Sequence, residues 1–388
     1  MSNELEWNES RYFNLHDHSS GVTVFMRIGN KPNKNEKSMF LFVIEKGRVC
    51  GMRNAVPCDD DRRSCSGLGF EELPDGSWRI RYSGPLFDTA SEAPAPIMSS
   101  MDLVWRPVNP LMDYHDCVDS EGEELSSKTA SEHFEQFGLV SGSVVVGGSS
   151  YDIDATGERD YSEGVRDWGA PKMWMWLNSV YGRDLGFNAT KLCTEGGDVD
   201  AGFVGTPDAN DPVVRIEVDV GYDGGIPSSY KMRMHGRSGR AYDVEARILA
   251  HAALPMQGSN DMMLIETISE TKMEGRVGYG IAEFLVRARR RCHGPAARVS
   301  SAWPSITFRT SSRDLVLSTT NHPSERDSIF LRVSLRSFMF SKASRSSPRD
   351  SMRLIDVSAS TSTRMNSSGI GNSFLITLYA FSYLSSGR

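Results

Sequence analysis

A chain of 388 residues exceeds the usual size of a single hydrophobic core, so two domains are the default expectation. The net charge of -7 conceals an asymmetry: from Arg289 onward there are 15 Lys and Arg against 5 Asp and Glu, which leaves 28 against 45, or -17, for residues 1–288. An acidic body with no basic stripe argues against nucleic acid as a partner of the folded part, because phosphate contacts need a positive surface.

The six cysteines, Cys50, Cys58, Cys65, Cys117, Cys193 and Cys292, show no CxxC pair and no metal-type spacing, and they read as reduced thiols. Cys58 and Cys65 flank an Asp/Arg run and could bridge in an oxidising compartment. The hydrophilic start MSNELEWNES, however, has neither a basic n-region nor an apolar h-region, so a cytoplasmic location is expected. No apolar run approaches the ~20 residues of a spanning helix, and no transmembrane segment is expected.

In chain order, residues 22–28, 39–45, 48–55, 68–72 and 77–82 read as short strands between turn signals. Trp78, Ile80 and Tyr82 alternate with Arg79 and Arg81, the period-two pattern of a strand with one face on a core. A strand resumes at 101–105, and the acidic, Ser-rich stretch 111–129 reads as an exposed loop. Residues 133–146 (HFEQFGLVSGSVVV) read as two strands about a kink at Gly142. A clear meander follows: Val214, Ile216, Val218 and Val220, then Tyr230, Met232 and Met234, then Tyr242, Val244, Ala246 and Ile248 each alternate with polar residues. After 262–269 and 278–286 the pattern stops. Many short alternating strands with almost no amphipathic helix predict an all-β protein.

Residues 289–388 are composed differently. They hold 24 serines and many arginines, yet Lys342 is their only Lys and Glu325 their only Glu, while aromatics such as Phe330, Phe338 and Tyr379 persist. Neither a disordered nor a natural basic tail has that mixture. The expectation is a segment read from a shifted or opposite frame, disordered and without an evolved fold; the alternative is a Ser/Arg-rich interaction segment.

The richest chemistry lies in residues 158–182, ERDYSEGVRDWGAPKMWMWLNSVYG, where two Arg-Asp pairs, Arg159-Asp160 and Arg166-Asp167, precede Trp168, Trp174 and Trp176. Charges beside large aromatics are costly unless paired, so this is either a buried ion-pair lock or the polar floor of an apolar pocket. In the catalytic reading, Asp160 or Glu163 is the proton-transferring carboxylate, its pKa raised by burial. In the structural reading, Arg159, Arg166 and Asp167 form the ion pairs that join two domains. Trp174 and Trp176 share a face opposite Met173, Met175 and Leu177, so one side of that strand meets a barrel wall or partner domain and the other lines a cavity or a plain core. His133 and Glu135 also share a face: an acid-base pair if it is the inner one, solvated groups if it is the outer. Tyr161, Trp168, Trp174, Trp176, His133 and Glu135 are the candidate substrate-binding residues. His16, Asp17 and His18 hint at a metal but lack a third ligand, and no GxGxxG suggests a nucleotide, so neither metal nor other cofactor is expected.

The segments HFEQFGLVSGSVVVGG (133–148), GERDYSEGVRDW (157–168) and MEGRVGYGIAEF (273–284) resemble the AttH-like, carotenoid 1,2-hydratase-related superfamily of tandem lipocalin-like proteins. More closely, they resemble its branch of uncharacterised domains, in which a segment similar to WNESRYFNLHD (7–17) also occurs. The resemblance covers residues 7–287. It implies two consecutive antiparallel β-barrels, at residues 1–168 and 169–288, with residues 159–168 at their junction. It also implies a hydrophobic terpenoid, polyketide or lipid-like molecule as the substrate class. Tyr161 departs from the pattern, standing where many relatives have His. Three functions follow as expectations: proton-transfer catalysis of hydration, isomerisation or cyclisation; non-catalytic binding of such a ligand; or a structural protein whose barrels are filled.

Overall fold

The computed structural model describes residues 3–118, 132–165, 171–255, 262–287, 316–319, 329–335 and 357–363. The first sheet comprises β1 (Trp7–Asp17), β2 (Val22–Lys31), β3 (Glu36–Glu45), β4 (Arg48–Val56), β5 (Ser64–Cys65), β6 (Leu68–Glu72), β7 (Trp78–Asp88), β8 (Ile97–Pro107), β9 (Met112–Asp113), β10 (Glu132–Val146) and β11 (Ser149–Val165). Its order is β4-β3-β2-β1-β11-β10-β8-β7-β6-β5, with β9 on β10. The sheet curls until β4 meets β7 through Cys50↔Asp88 and Gly51↔Phe87, which closes it into a barrel. The second barrel is a closed antiparallel ring of β12 (Met173–Val180), β13 (Gly186–Cys193), β14 (Asp198–Gly205), β15 (Asn210–Asp223), β16 (Ile226–Gly236), β17 (Ala241–Pro255), β18 (Met262–Met273) and β19 (Arg276–Arg287). Closure leaves no exposed edge along the ring.

Alternation carries the meander, with one correction. A register shift between Val213 and Arg215 resets the phase, so Val213 and Ile216 are buried while Val214 is 47% exposed. An extra residue in one strand of an antiparallel pair does this. Four of the longer strands escaped the alternation rule: β1, β11, β13 and β14. β1 shows why, because it lies mid-sheet with both faces covered, and even Asn8, Glu9, Ser10, Asn14, His16 and Asp17 are buried. The 111–129 stretch is not simply an exposed loop. Met112 and Asp113 pair with β10, and Tyr114 and Cys117 are buried; residues 119–131 lie outside the described ones. Residues 132–146 form one strand rather than two, with Gly142 at φ 140° inside it.

Both interiors are filled. Phe13, Phe70, Trp78, Tyr82 and Trp105 pack the first barrel; Tyr181, Phe187, Tyr230, Met232, Met234 and Phe284 pack the second. A third apolar cluster lies between the barrels, where Tyr12, Phe25 and Phe42 of the first meet Trp174, Trp176 and Leu285 of the second. Phe137 on β10 stacks on Phe203 of β14 with ring centres 4.8 Å apart. Close fit on the first core appears at Gly138, whose missing Cβ leaves room for the Trp105 indole; a methyl there would sit 2.1 Å from Trp105 Cε2. Trp105 is fully buried and has nowhere to go, so Gly138→Ala is expected to cost about 1–3 kcal/mol through overpacking. A thermal melt of that variant unchanged from the parent would refute the tight fit.

Among the described residues, Cys50, Cys58, Cys65, Cys117 and Cys193 are free thiols, and no helix is long and apolar enough to cross a membrane. In the C-terminal segment the described residues are the strands Val316–Thr319, Ile329–Leu335 and Val357–Thr363, which form a small antiparallel sheet of their own. The rest of 288–388, and with it most of the expectation of a disordered tail, lies outside the described residues.

Candidate functional site

β10 and β11 run antiparallel with Glu135 opposite Asp160, His133 opposite Ser162 and Phe137 opposite Glu158. Residues opposed across a ladder point to the same face, and alternate residues along each strand do too. His133, Glu135, Glu158 and Asp160 therefore share the face turned to the second barrel. His133 Nε2 lies 2.9 Å from Glu135 Oε1 and 2.6 Å from Asp160 Oδ2. The side chains of His133 and Asp160 are 23% and 15% exposed, whereas Glu135 is fully buried behind them. The cluster thus leads from a partly open rim into the interior.

The second barrel contributes the remaining contacts. Trp176 Nε1 donates to Glu135 Oε1 at 2.9 Å, and Trp174 Nε1 donates to Glu283 Oε1 at 2.5 Å. Met175 and Leu177, on the opposite face of β12, fill the barrel interior. Asn188 Nδ2 donates to Glu158 Oε1 at 2.8 Å, and Asn188 Oδ1 in turn accepts from the Tyr114 hydroxyl. The Tyr114 ring lies against the His133 imidazole, centres 4.2 Å apart. The Tyr12 ring meets Trp176 edge-on at 5.5 Å.

These surroundings shift the titrations. Burial pushes the Glu135 carboxyl up to about 7, with His133 pulling it back and Asp160 adding to the rise. Burial would lower the His133 imidazole, but Asp160 and Glu135 outweigh it and hold the ring up at about 10. Glu158 is driven well above the carboxylate range by burial and by its neighbour Glu135. A second carboxyl pair lies across β18 and β19, where the fully buried Glu266 faces the half-buried Glu283. Burial and the Glu283 charge raise Glu266 well above its ordinary value, and Glu283 is raised as well, first by burial. A half-buried cation, Arg27, feels the charges of both Asp160 and Glu283.

Chemically, the cluster can hold and move a proton: a carboxyl poised near neutrality, an imidazolium touching it, and a second carboxylate at the rim. His133, Glu135 and Asp160 also offer ligand atoms within 4.8 Å of one another, a spacing that a divalent cation could use.

The residues singled out in the sequence fall on two faces of the same sheet. Asp160, His133 and Glu135 come together, with Trp174 and Trp176 beside them. Arg159, Tyr161 and Glu163 project from the other face of β11: Arg159 donates through Nε and Nη2 to Gln136 Oε1, and the Tyr161 hydroxyl donates to Glu163 Oε2 at 2.7 Å. Arg159 is therefore bonded to Gln136 rather than to its sequence neighbour Asp160. Arg166, Asp167 and Trp168 lie outside the described residues. His16 bonds Thr23 Oγ1 at 2.9 Å, and burial lowers its pKa to about 4. Sequence reasoning passed over Tyr114, Glu158, Asn188, Glu266 and Glu283; an acidic residue inside an alternating strand gives no sign that its outer face is covered by another barrel.

Solved structures similar to the chain share its fold at low identity. An AttH-like protein from Nitrosomonas europaea is 12% identical with a TM-score of 0.54, over 73% of this chain and 93% of its own. Kievitone hydratase from Nectria haematococca is 11% identical with a TM-score of 0.50, over 72% and 89%. CghA is 10% identical with a TM-score of 0.50, over 74% and 90%. No curated protein matches the chain. At these identities the likeness is one of fold: the chain has the architecture of the AttH-like, carotenoid hydratase-like proteins. Residues 1–288 match the model of a domain of unknown function, DUF7064, and the chain belongs to that family.

Proposed function

We propose that the chain is a cofactor-independent enzyme that moves a proton to or from a hydrophobic small molecule, in hydration, isomerisation or cyclisation. The observation that carries this reading is Glu135, fully buried and pushed up to about 7, its Oε1 held by Trp176 and His133. A carboxyl with a pKa near the working pH is a stocked acid and, once emptied, a competent base. The transferable proton belongs to the Glu135–His133 pair, and Asp160 keeps the imidazole oriented. In a hydration, the proton given to the ligand is replaced by the one the attacking water loses, and the cycle closes. Tyr12, Phe40, Trp174 and Trp176 supply aromatic surface suited to a terpenoid or polyketide. The name of one structural neighbour, kievitone hydratase, is in keeping with this chemistry, though the likeness extends only to the fold.

A second reading has its own support. Both barrel interiors are packed with large side chains, as a structural or interaction protein would have them. Incubation with a panel of terpenoids, prenylated phenols and polyketide enones in D2O, followed by mass spectrometry, separates the two. Proton-transfer catalysis predicts carbon-bound deuterium or a hydrated product from at least one compound. Absence of both binding and deuterium uptake across the panel would select the filled, non-catalytic protein.

A further inference from the structure

On the face of β11 opposite the acid-base cluster, at the mouth of the first barrel, lies a cavity of about 160 Å3. Arg11, Arg63 and Arg159 line it together with the rings of Phe13, Trp78 and Tyr161. The guanidinium groups lie near aromatic rings: Arg159 is 5.7 Å from the Trp78 ring centre and 5.6 Å from that of Trp105, Arg63 is 5.3 Å from Trp78, and Arg11 is 4.8 Å from Tyr161. Glu72 and Asp160 complete the lining, but the Asp160 carboxylate is committed to His133 on the other face.

The three cations are not equally balanced. Arg11 pairs with Glu9 at 2.7 Å and Arg63 with Glu72 at 3.2 Å. Arg159 is held differently, its Nε and Nη2 donating at 3.0 and 2.9 Å to the neutral oxygen of Gln136. Gln136 is itself anchored, its Nε2 donating to the Asn109 carbonyl at 2.7 Å. Among the described residues no carboxylate stands within ion-pair distance of Arg159. A half-buried guanidinium fixed by a neutral acceptor, with further donors to give, is preorganised for a carboxylate.

We propose that this cavity binds a small aromatic carboxylate, its ring among Phe13, Trp78 and Tyr161 and its charge on Arg159. The volume falls below the roughly 300–1,000 Å3 of pockets for drug-sized ligands, which limits the occupant to a one-ring acid. The charge count selects a monoanion, since one guanidinium is left to neutralise and a second negative charge would meet Glu72. The β11 backbone separates the Arg159 guanidinium from Glu135, and of the side chains in the acid-base cluster only Asp160 also borders this cavity.

Titration calorimetry of the full chain with benzoate tests the proposal, with neutral benzamide and inorganic phosphate as comparison probes. Benzoate is expected to bind with a Kd of about 1 mM or tighter, and benzamide and phosphate about 10-fold more weakly or worse. Arg159→Gln is expected to weaken benzoate about 10-fold or more, while Glu135→Gln leaves it unchanged. No heat with benzoate, equal affinity for benzamide, phosphate as tight as benzoate, or an Arg159→Gln affinity equal to the parent's would each overturn it. If Arg159→Gln fails to fold, Arg63→Gln at the more exposed rim decides: about 3-fold weaker binding supports the site, and no change overturns it.

Discussion

Glu135→Gln is expected to lower turnover of any ligand the protein converts by about 100-fold or more, with the fold intact. Glutamine keeps an oxygen for Trp176 and His133, and it copies the shape and neutrality of the protonated carboxyl, so the contacts that lock the barrels survive. What it removes is the transferable proton. The same argument fixes the pH dependence in the parent. With Glu135 as donor, at a value near 7, activity should fall as the pH rises through that value. Glu163→Gln is the contrasting variant, because Glu163 stands on the other face of β11 bonded to Tyr161, and a change within about 2-fold is expected there. The measurement is deuterium incorporation per unit time for each variant, with thermal melts alongside. Full activity in Glu135→Gln would remove this residue from the chemistry; a large loss in Glu163→Gln would move the site to the opposite face.

The parts of the fold legible in the sequence are those with one wet face. β16 and the start of β17 alternate because their outer residues, Lys231, Arg233, Asp243 and Glu245, meet solvent. β1 was not legible, since its outer face packs on the second barrel and the alternation is lost. The site divides in the same way. The shared face of His133 and Glu135 follows from their spacing alone, whereas their meeting with Asp160 depends on the register of β10 against β11. The two-residue Gly147-Gly148 turn fixes that register, so it becomes legible only when residues 149–165 are read as the returning strand of a hairpin. The imidazole beside Asp160 comes from β10, a neighbour visible only once the strands are paired. Glu266 and Glu283 lie in strands recognisable as such, yet only barrel-on-barrel packing buries Glu266 fully and Glu283 in part.

Stability is expected to be greatest near pH 5 and to decline as the pH rises toward 10. The direction follows from which state holds more protons. Glu135 is raised from 4.5 to about 7, so between those values the folded chain keeps a proton that the unfolded chain has released, and raising the pH weakens folding. His133 is raised from 6.5 to about 10, so its contribution is complete below 6.5 and is lost as the pH passes through 10. The two groups share a proton network and titrate as a unit, which spreads the loss across the whole window. Glu158 and Glu266, also raised, act in the same sense. On the acid side the sign reverses: Glu9, Asp17 and Glu45 are held below their ordinary values, and their support is lost as the pH falls through their folded pKa values. Each proton of difference between the states contributes a slope of about 1.4 kcal/mol per pH unit, so the decline should be steep wherever two of these groups titrate together. Urea melts at half-unit steps from pH 4 to 10 measure it, and Glu135→Gln should flatten the segment between 4.5 and 7. A profile that is level from pH 5 to 8, or that rises across it, would mean the carboxylates between the barrels are ionised and solvated in the folded protein, and the proton-holding cluster would have to be abandoned.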